Sequence, residues 1–357
     1  MHRKTFRPVK TGLLFFFAAL LIGCEKAEKQ YDYSIFAFGT LIDVSLYHVT
    51  ASQAETSFDL LQKDFDRYHQ HWSPWTNGDL ATLNTRLKQQ GTHGKAITVP
   101  EHLIPLLERS IALSLDSDNF YNPAIGNLIN LWQFHKYQDE GIQPPEDQKI
   151  QSLIKKNPRL SDLIFDKNNR IINTNPAVSL NFGAFAKGYA IALEIEQLQK
   201  QGVHNAVINA GGDLCVIGKH GDRLWNIGIR HPREDSILAS IEVKHDECIF
   251  TSGDYERSYT FQGKRYHHIL DPRTGYPTND AQSVTVLHPN AGLADAAATA
   301  IFVAGSKNWQ RIANSMGIQY VLLIDSAGNL HLTPAMEKRL KFINKSPASH
   351  IIVSKEL

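Results

Sequence analysis

Two adjacent histidines, His267 and His268, lie in an apolar segment that continues into the polar turn 271–275, DPRTG. A plain turn, a metal site and a reaction centre all fit such a stretch. Successive side chains of a strand face opposite sides, so the two imidazoles cannot both point into one site or bind one ion. One histidine is then available as a general base, because an imidazole pKa lies near neutral pH.

Asp295 and Thr299 lie four residues apart at the start of a predicted helix, so their side chains project from one face. A carboxylate and a hydroxyl on one helical turn form half of a hard-oxygen site suited to Mg²⁺, which keeps open positions for substrate phosphates. The competing interpretation, which the spacing alone favours, is an Asp that caps the helix N-terminus and a Thr bonded back to its own helix.

Three glycine-containing connections add polar groups. In 180–189 a strand ends, small residues follow and a helix begins with Lys187 in its first turn, which could bind an anion or be a plain junction with a solvent-facing lysine. Gly211-Gly212 permits close approach of a phosphorylated ligand or simply makes a turn. The segment 251–257, TSGDYER, is unusually polar for a connection, and the following hairpin brings it near the histidines.

Together these segments indicate phosphoryl chemistry that works by positioning and charge neutralisation, with a histidine as general base. The sequence has no nucleophile elbow and no Walker spacing. Its 37 Lys+Arg balance 36 Asp+Glu, so composition offers no case for nucleic acid or an anionic membrane surface as partner.

The elements that must position these groups alternate between hairpins and helices. A strand pair is predicted over 34–49 with a bend at Gly39, and a helix from Phe58 buries one face, formed by Leu61, Phe65, Tyr68 and Trp72. Further helices are predicted over 100–115, 184–202 and 294–305, and hairpins around 165–172, 206–218, 258–270 and 320–333. This order predicts an α+β fold, a single compact unit of mostly antiparallel sheets with packed helices.

The N-terminus predicts export. A basic segment and a short apolar run end at Leu21-Ile22-Gly23-Cys24, the pattern of a bacterial lipoprotein signal in which Cys24 is lipidated. We expect a signal peptide over 1–23, a tether over 24–32, one domain over 33–345 and a tail over 346–357. The expected location is the bacterial cell envelope, lipid-anchored and periplasm-facing, on the inner or outer membrane.

The remaining cysteines, Cys215 and Cys248, could pair in an oxidising compartment or stay as buried thiols. The sequence predicts no zinc site, because it lacks both further cysteines and a tight Cys/His spacing.

Motifs over nearly the whole mature chain are similar to those of the ApbE family of flavin transferases (FAD:protein FMN transferases). In order, they are FGT (38–40), LN (83–84), NPAIG (122–126), LWQF (131–134), AKGYA (186–190), GGD (211–213), TSGDYER (251–257), HILDPRTG (268–275), SVTV (283–286) and ADAAATA (294–300). The block 251–275 is the most specific part of the resemblance.

The resemblance implies a T-fold-like α+β domain that transfers FMN from FAD to a Thr or Ser hydroxyl of a target flavoprotein, with Mg²⁺ required and AMP released. It implies that Asp295, Thr299 and the Ala184 carbonyl hold Mg²⁺, and that His268 is the general base. The implied positions that contact FAD are Phe38, Tyr121, Asn122, Asn181, Lys187 and Ile269. Arg273 could assist the phosphates, and His267 is left a structural role.

The chain departs from the family pattern at a few of these positions. The family usually has Asp where Asn122 and Asn181 stand, Thr where Ala124 stands and Met where Phe38 stands. The alternatives to a transferase are a Mg²⁺-dependent FAD pyrophosphatase, with water as acceptor, and a non-catalytic flavin-binding lipoprotein. The acceptor implied by the resemblance is a subunit of a membrane redox complex, such as a sodium-pumping NADH:quinone reductase, or another secreted flavoprotein.

Overall fold

The structure is a computed structural model that describes residues 29–90, 94–136, 141–243, 246–343 and 350–356. The predicted signal peptide and Cys24 lie outside the described residues. Within these ranges no helix is both long and apolar enough to cross a membrane. The helices are α1 (Ala51–Trp72), α2 (Asp79–Gln90), α3 (Ile104–Asp116), α4 (Gly126–Trp132), α5 (Asp147–Ile154), α6 (Ala186–Lys200), α7 (Ala291–Ser315) and α8 (Pro334–Glu337).

All the predicted hairpins are present as antiparallel strand pairs. The strands are β1 (Gln30–Ala37), β2 (Thr40–Tyr47), β3 (Ile97–Thr98), β4 (Leu163–Phe165), β5 (Arg170–Asn173), β6 (Ala206–Ala210), β7 (Asp213–Ile217), β8 (Trp225–Arg230), β9 (Ile237–Val243), β10 (Glu247–Gly253), β11 (Ser258–Phe261), β12 (Lys264–His267), β13 (Ala281–His288), β14 (Tyr320–Asp325), β15 (Leu330–Leu332), β16 (Leu340–Phe342) and β17 (Ile351–Val353).

A nine-stranded sheet in the order β1-β2-β6-β7-β10-β13-β14-β15-β17 forms the centre of the fold. Its neighbours pair antiparallel except β15 and β17, which are parallel. The α+β class with mostly antiparallel sheet is thus confirmed. Strand β17 comes from the predicted tail, and β1 begins inside the predicted tether.

Both faces of the central sheet are covered. Helices α1, α6 and α7 pack on one face, and a three-stranded sheet, β16-β9-β8, encloses a second apolar core on the other. Seven of the eight residues of β13 are therefore buried, in place of the alternation expected for a strand with one wet face.

The predicted helices differ from the observed ones mainly at their ends. Helix α1 buries the predicted face, and Thr50 caps its N-terminus. Helix α7 runs ten residues beyond the predicted end, through a kink at Gly305, where φ is +67° and an added Cβ would meet the Asp280 carboxylate. That carboxylate accepts hydrogen bonds from the backbone and hydroxyl of Ser306, so the chain turns there and resumes its helix.

Cys215 and Cys248 form a disulfide in the structure. They lie directly opposite each other on neighbouring strands β7 and β10, on the side of the sheet that faces the helices. Of the two alternatives that the sequence left open, the structure has the paired one.

Candidate active site

One cavity of about 540 Å³ brings together the predicted site residues that the structure describes. Segments from the β1–β2 turn, the start of α4, the start of α6, the end of β10, the end of β12 and α7 surround it. Its walls include Phe38, Tyr121, Asn122, Asn181, Ala184, Lys187, His268, Ile269, Asp295 and Thr299. Only Cys24, among the predicted site residues, falls outside the described ranges.

Helices α6 and α7 meet at Gly188 and Asp295. The Asp295 carboxylate is buried, and its Oδ2 accepts a hydrogen bond from the Gly188 backbone N–H at 2.9 Å. A Cβ at Gly188 would lie 2.8 Å from Asp295 Cβ, so glycine permits this close approach. Burial raises the pKa of Asp295, although nearby Lys187 and the Gly188 N–H oppose that shift.

The competing interpretation of Asp295 and Thr299 does not hold in the structure. Asn290 caps α7 by accepting from Leu293 N, so Asp295 lies in the second turn and caps the start of α6 instead. Thr299 Oγ1 lies 3.0 Å from Ser252 Oγ at the end of β10. Both side chains line the cavity from one face of α7, as their spacing predicts.

The donor set at this point fits Mg²⁺. Asp295 offers a buried carboxylate, Thr299 and Ser252 offer hydroxyl oxygens, and Ala184 borders the same cavity in the turn before α6. Carboxylate, hydroxyl and carbonyl oxygens are the ligands that this hard cation takes, usually together with water and substrate phosphate.

Lys187 turns inward rather than towards solvent. Its ammonium forms an ion pair with Asp213, from the Gly-Gly segment, and lies 5.3 Å from the centre of the Phe250 ring. Burial lowers the pKa of Lys187, while Asp295 and Glu256 act in the opposite direction. Lys187 is half-buried beside the buried Asp295, so it brings a charged group to the cavity wall, and the junction with a solvent-facing lysine is excluded.

The two histidines divide as strand geometry predicts. The Nε2 of His267 lies 2.6 Å from the Thr278 carbonyl, to which it donates, and its Nδ1 accepts from Ile269 N. His268 faces the cavity, and its buried Nδ1 has no hydrogen-bond partner among the described residues. His267 therefore has a structural role, because its ring bonds two backbone groups, and the Nδ1 of His268 remains available to a substrate.

In the structure, His268 is a weaker base than its residue type predicts. Burial, with the positive Arg257 and the neighbouring His267, lowers the pKa of His268 to about 3. The imidazole is therefore neutral at physiological pH and can accept a proton, but in the protein alone it is a weaker base than an ordinary histidine.

The two asparagines that replace the usual aspartates have structural bonds that explain them in part. Asn122 donates from Nδ2 to the Pro158 carbonyl at 2.9 Å and accepts from Ala124 N. A carboxylate could not make the first bond. The Oδ1 of Asn181 accepts from Gly183 N, which shapes the turn leading to Ala184. Both residues border the cavity while holding its walls.

Tyr121 borders the cavity as well, but its buried hydroxyl lies 3.0 Å from Ser110 Oγ inside the core. Burial raises the pKa of Tyr121 well above its usual value, so the phenol stays protonated. Tyr121 can therefore shape the cavity without taking part in proton transfer.

Arg273 does not line this cavity in the structure, and its assistance to the phosphates stays a prediction. Its guanidinium makes a paired contact with Asp271 and stacks 4.3 Å above the Phe120 ring, and it lines an adjoining cleft of about 280 Å³ that shares three lining residues with the cavity. The turn 271–275 is stabilised by helix α4, because the Gly275 carbonyl accepts a hydrogen bond from Trp132 Nε1 at 2.8 Å.

Sequence reasoning missed several cavity residues. Ser252, Glu256 and Arg257 belong to the polar segment that the sequence singled out, so their residue types carried a signal. The loop 73–78, including Trp75, carried none, because it follows the predicted end of a helix as an ordinary connection. Phe38 adopts φ of +54° and its N–H donates to His69 Nδ1, which places both beside the cavity.

The geometry supports chemistry on a phosphate-bearing substrate. A half-buried lysine and a set of hard-oxygen donors lie within one cavity with a neutral imidazole whose Nδ1 has no partner among the described residues. These groups can neutralise charge on phosphoryl oxygens and take a proton from an attacking hydroxyl.

Comparisons with known proteins point the same way. The family model described as "ApbE family" matches residues 38–322. A protein of Rhodobacter capsulatus named FAD:protein FMN transferase is 36% identical over 314 residues, which is 87% of this chain but only 58% of the relative. A Klebsiella pneumoniae protein of the same name is 32% identical over 78% of this chain and 84% of its own length. The crystal structure of an ApbE protein from Thermotoga maritima superposes with a TM-score of 0.78 at 28% identity, covering 87% of this chain and 99% of that one.

Proposed function

Because this chain belongs to the ApbE family, we propose that it transfers FMN from FAD to a Thr or Ser hydroxyl of a target flavoprotein and releases AMP. The observation that carries the proposal is the meeting of His268, Lys187, Asp295 and Thr299 in one cavity. These residues come from three separate segments of the chain, and each supplies a group that phosphoryl transfer needs.

Asp295, Thr299 and the carbonyl of Ala184 would hold Mg²⁺, and the fit of their oxygens to this ion supports the assignment. When bound, the ion supplies stabilisation of negative charge on the phosphoryl oxygens. Lys187 contributes charge on the phosphate side, since it lines the cavity close to Asp295. Phe38, Tyr121 and Ile269 contact the flavin nucleotide through the apolar part of the cavity wall.

His268 takes the proton of the acceptor hydroxyl. The hydroxyl oxygen then attacks the phosphorus on the FMN side of the diphosphate. A bond forms between that oxygen and phosphorus, and the bond from phosphorus to the bridging oxygen breaks. AMP leaves with the bonding electrons, and the imidazolium later returns its proton to solvent.

The lowered pKa of His268 is compatible with this role once substrate is bound. An anionic diphosphate beside the ring favours the imidazolium and raises the pKa towards neutral. The base then gains strength when its substrate is present, and it does not lose the neutral form needed to start the reaction.

We also propose an acceptor protein and a location for the enzyme. The acceptor would be a subunit of a membrane redox complex or another exported flavoprotein. The lipid on Cys24 would hold the enzyme at the periplasmic side of the cell envelope, where such acceptors expose their domains.

The test is incubation of the purified protein with FAD, Mg²⁺ and an acceptor flavoprotein carrying a Thr flavinylation site. We expect a fluorescent acceptor band in a denaturing gel and one AMP per FMN transferred. Free FMN and AMP without a labelled acceptor would replace the transferase with the pyrophosphatase. Absence of both products would leave only flavin binding and would contradict catalysis.

The metal assignment has its own variant. Asp295→Asn should raise the Mg²⁺ concentration for half-maximal activity by at least about tenfold, because even residues behind the ligands cost that much. The matched control is Asp222→Asn, at an exposed aspartate that does not line the cavity. An unchanged Mg²⁺ dependence in Asp295→Asn would remove this residue from the metal site.

A further inference from the structure

A second cluster of metal-ligating side chains lies outside the cavity. His71 is in the last turn of α1, Asp79 is the first residue of α2, and His102 lies in the short turn before α3. Asp79 Oδ2 is 2.7 Å from His71 Nδ1 and 3.0 Å from His102 Nε2. The three ligating atoms all lie within 4.8 Å of one another, and none of the three residues lines the cavity.

We propose that His71, Asp79 and His102 form a binding site for one divalent transition-metal ion, with Zn²⁺ as the ion that fits best. Two imidazole nitrogens and one carboxylate oxygen are a donor set that Zn²⁺ takes, leaving a fourth position for water. Ligand atoms about 2.0–2.1 Å from a tetrahedral ion are about 3.4 Å apart, so small side-chain movements convert the observed spacing into a coordination sphere. Mg²⁺ prefers oxygen ligands, so two imidazole nitrogens make this site a poor fit for it.

The arrangement suits a metal better than a plain ion pair. A carboxylate can hold two imidazoles by hydrogen bonds, but full pairing would need two imidazolium rings whose centres are 5.3 Å apart. Neutral imidazole is the form that binds a metal, and the side chains are half exposed, so an ion can reach them from solvent.

The sequence predicted no zinc site, because no two of these residues have a recognisable metal-ligand spacing. They come together only through the packing of α1 and α2 and the chain that returns before α3. His71 and Asp79 flank the loop 73–78, and Ser73, Pro74, Trp75 and Thr76 from that loop line the cavity. An ion bound between them would tie the two ends of a cavity-wall loop together, whatever reaction the cavity performs.

The experiment is a Zn²⁺ titration of the full-length, tag-free protein in detergent, against a chromophoric chelator. We expect one ion per chain with a Kd in the micromolar range or tighter. His71→Ala, Asp79→Asn and His102→Gln should each weaken binding at least about tenfold. His204→Ala, at an exposed histidine distant in the fold, should not change it. Binding should persist in Asp295→Asn, which separates this site from the one proposed for Mg²⁺.

A second readout protects the result against misfolding. Zn²⁺ should slow backbone hydrogen exchange in 73–78 and raise the melting temperature of the wild type, but not of His102→Gln, whose melting temperature without metal should match the wild type. The proposal would be overturned if the wild type failed to bind Zn²⁺ at 100 times the protein concentration. It would also be overturned if all three variants bound Zn²⁺ as tightly as the wild type, or if Asp295→Asn lost the binding.

Discussion

At the scale of single residues, His268 illustrates what the sequence could and could not predict. Strand alternation and the motif around it were enough to assign one histidine to the site and the other to the backbone, as the structure has them. The pKa could not be predicted, because it depends on burial and on Arg257, which approaches through the fold. The ion pair between Lys187 and Asp213 could not be predicted either, because it forms only when the two segments come together in the fold.

Replacing His268 by Gln should lower kcat for FMN transfer by about 10²–10⁴-fold, the usual contribution of a general base, with little change in FAD affinity. Steady-state kinetics with saturating acceptor measures both. Gln keeps a polar group of similar size, so a fall in kcat with an unchanged melting temperature isolates the proton transfer. Equal rates for His268→Gln and the control His204→Gln would remove His268 from catalysis.

The pH profile of the wild type should reflect the same environment. With a pKa of about 3, His268 in the free enzyme stays neutral as pH falls from 7 to 5, so the base should not reduce kcat/KM over that interval. The acid limb of kcat should lie at higher pH, because bound diphosphate favours the imidazolium. A fall in kcat/KM with a midpoint near 6.5 that disappears in His268→Gln would contradict this.

At the scale of elements, the contact between α1 and α6 contains a buried acid that no sequence pattern predicted. Tyr68 donates its hydroxyl to Glu194 Oε1 at 2.9 Å, and Glu194 Oε2 is buried without a partner among the described residues. Periodicity placed Tyr68 on the core face of its helix, but not opposite a glutamate 126 residues later. Burial raises the pKa of Glu194 to about 7.

Glu194→Gln should therefore change the pH dependence of stability. The folded pKa, about 7, exceeds the ordinary glutamate pKa of 4.5, so the contribution of Glu194 is complete below about pH 4.5 and is lost as pH rises through 7. Between pH 5 and 8 the wild type should lose up to about 3 kcal/mol from this group, and Glu194→Gln should not. Urea denaturation at both pH values measures it, with exposed Glu196→Gln on the same helix as control. Parallel pH curves for wild type and Glu194→Gln would contradict the prediction.

Element boundaries were predictable where a local signal existed and not elsewhere. The Gly39 turn and the Gly211-Gly212 turn lie between strands as expected. Helix α2 was not predicted, although Leu80, Leu83 and Leu87 form its buried face. Strand β17 could not be inferred at all, because three exposed aliphatic residues form a strand there only by pairing with β15.

At the scale of the whole molecule, the cavity draws on residues from 38 to 299, so no single segment contains the site. The central sheet and helices α6 and α7 fix the relative positions of the residues proposed to hold the metal and to act as the base, whereas the order of motifs along the chain says nothing about distance. The family resemblance predicted which residues belong to the site. The structure supplies its geometry and the separate cluster formed by His71, Asp79 and His102.

The membrane anchor is the prediction that concerns the molecule as a whole. Cys24 lies six residues before the first residue of β1, an edge strand of the central sheet, so the length of chain allows at most about 20 Å between a lipidated cysteine and the start of β1. Cys24→Ser should move the protein from the membrane fraction to the soluble fraction of expressing cells, while the rate of FMN transfer to a soluble acceptor stays unchanged. Fractionation and the gel assay measure the two quantities, with Glu25→Gln as a control that stays in the membrane. Retention of Cys24→Ser in the membrane would show that another feature anchors the protein, because one lost lipidation site removes every acyl chain that this mechanism provides.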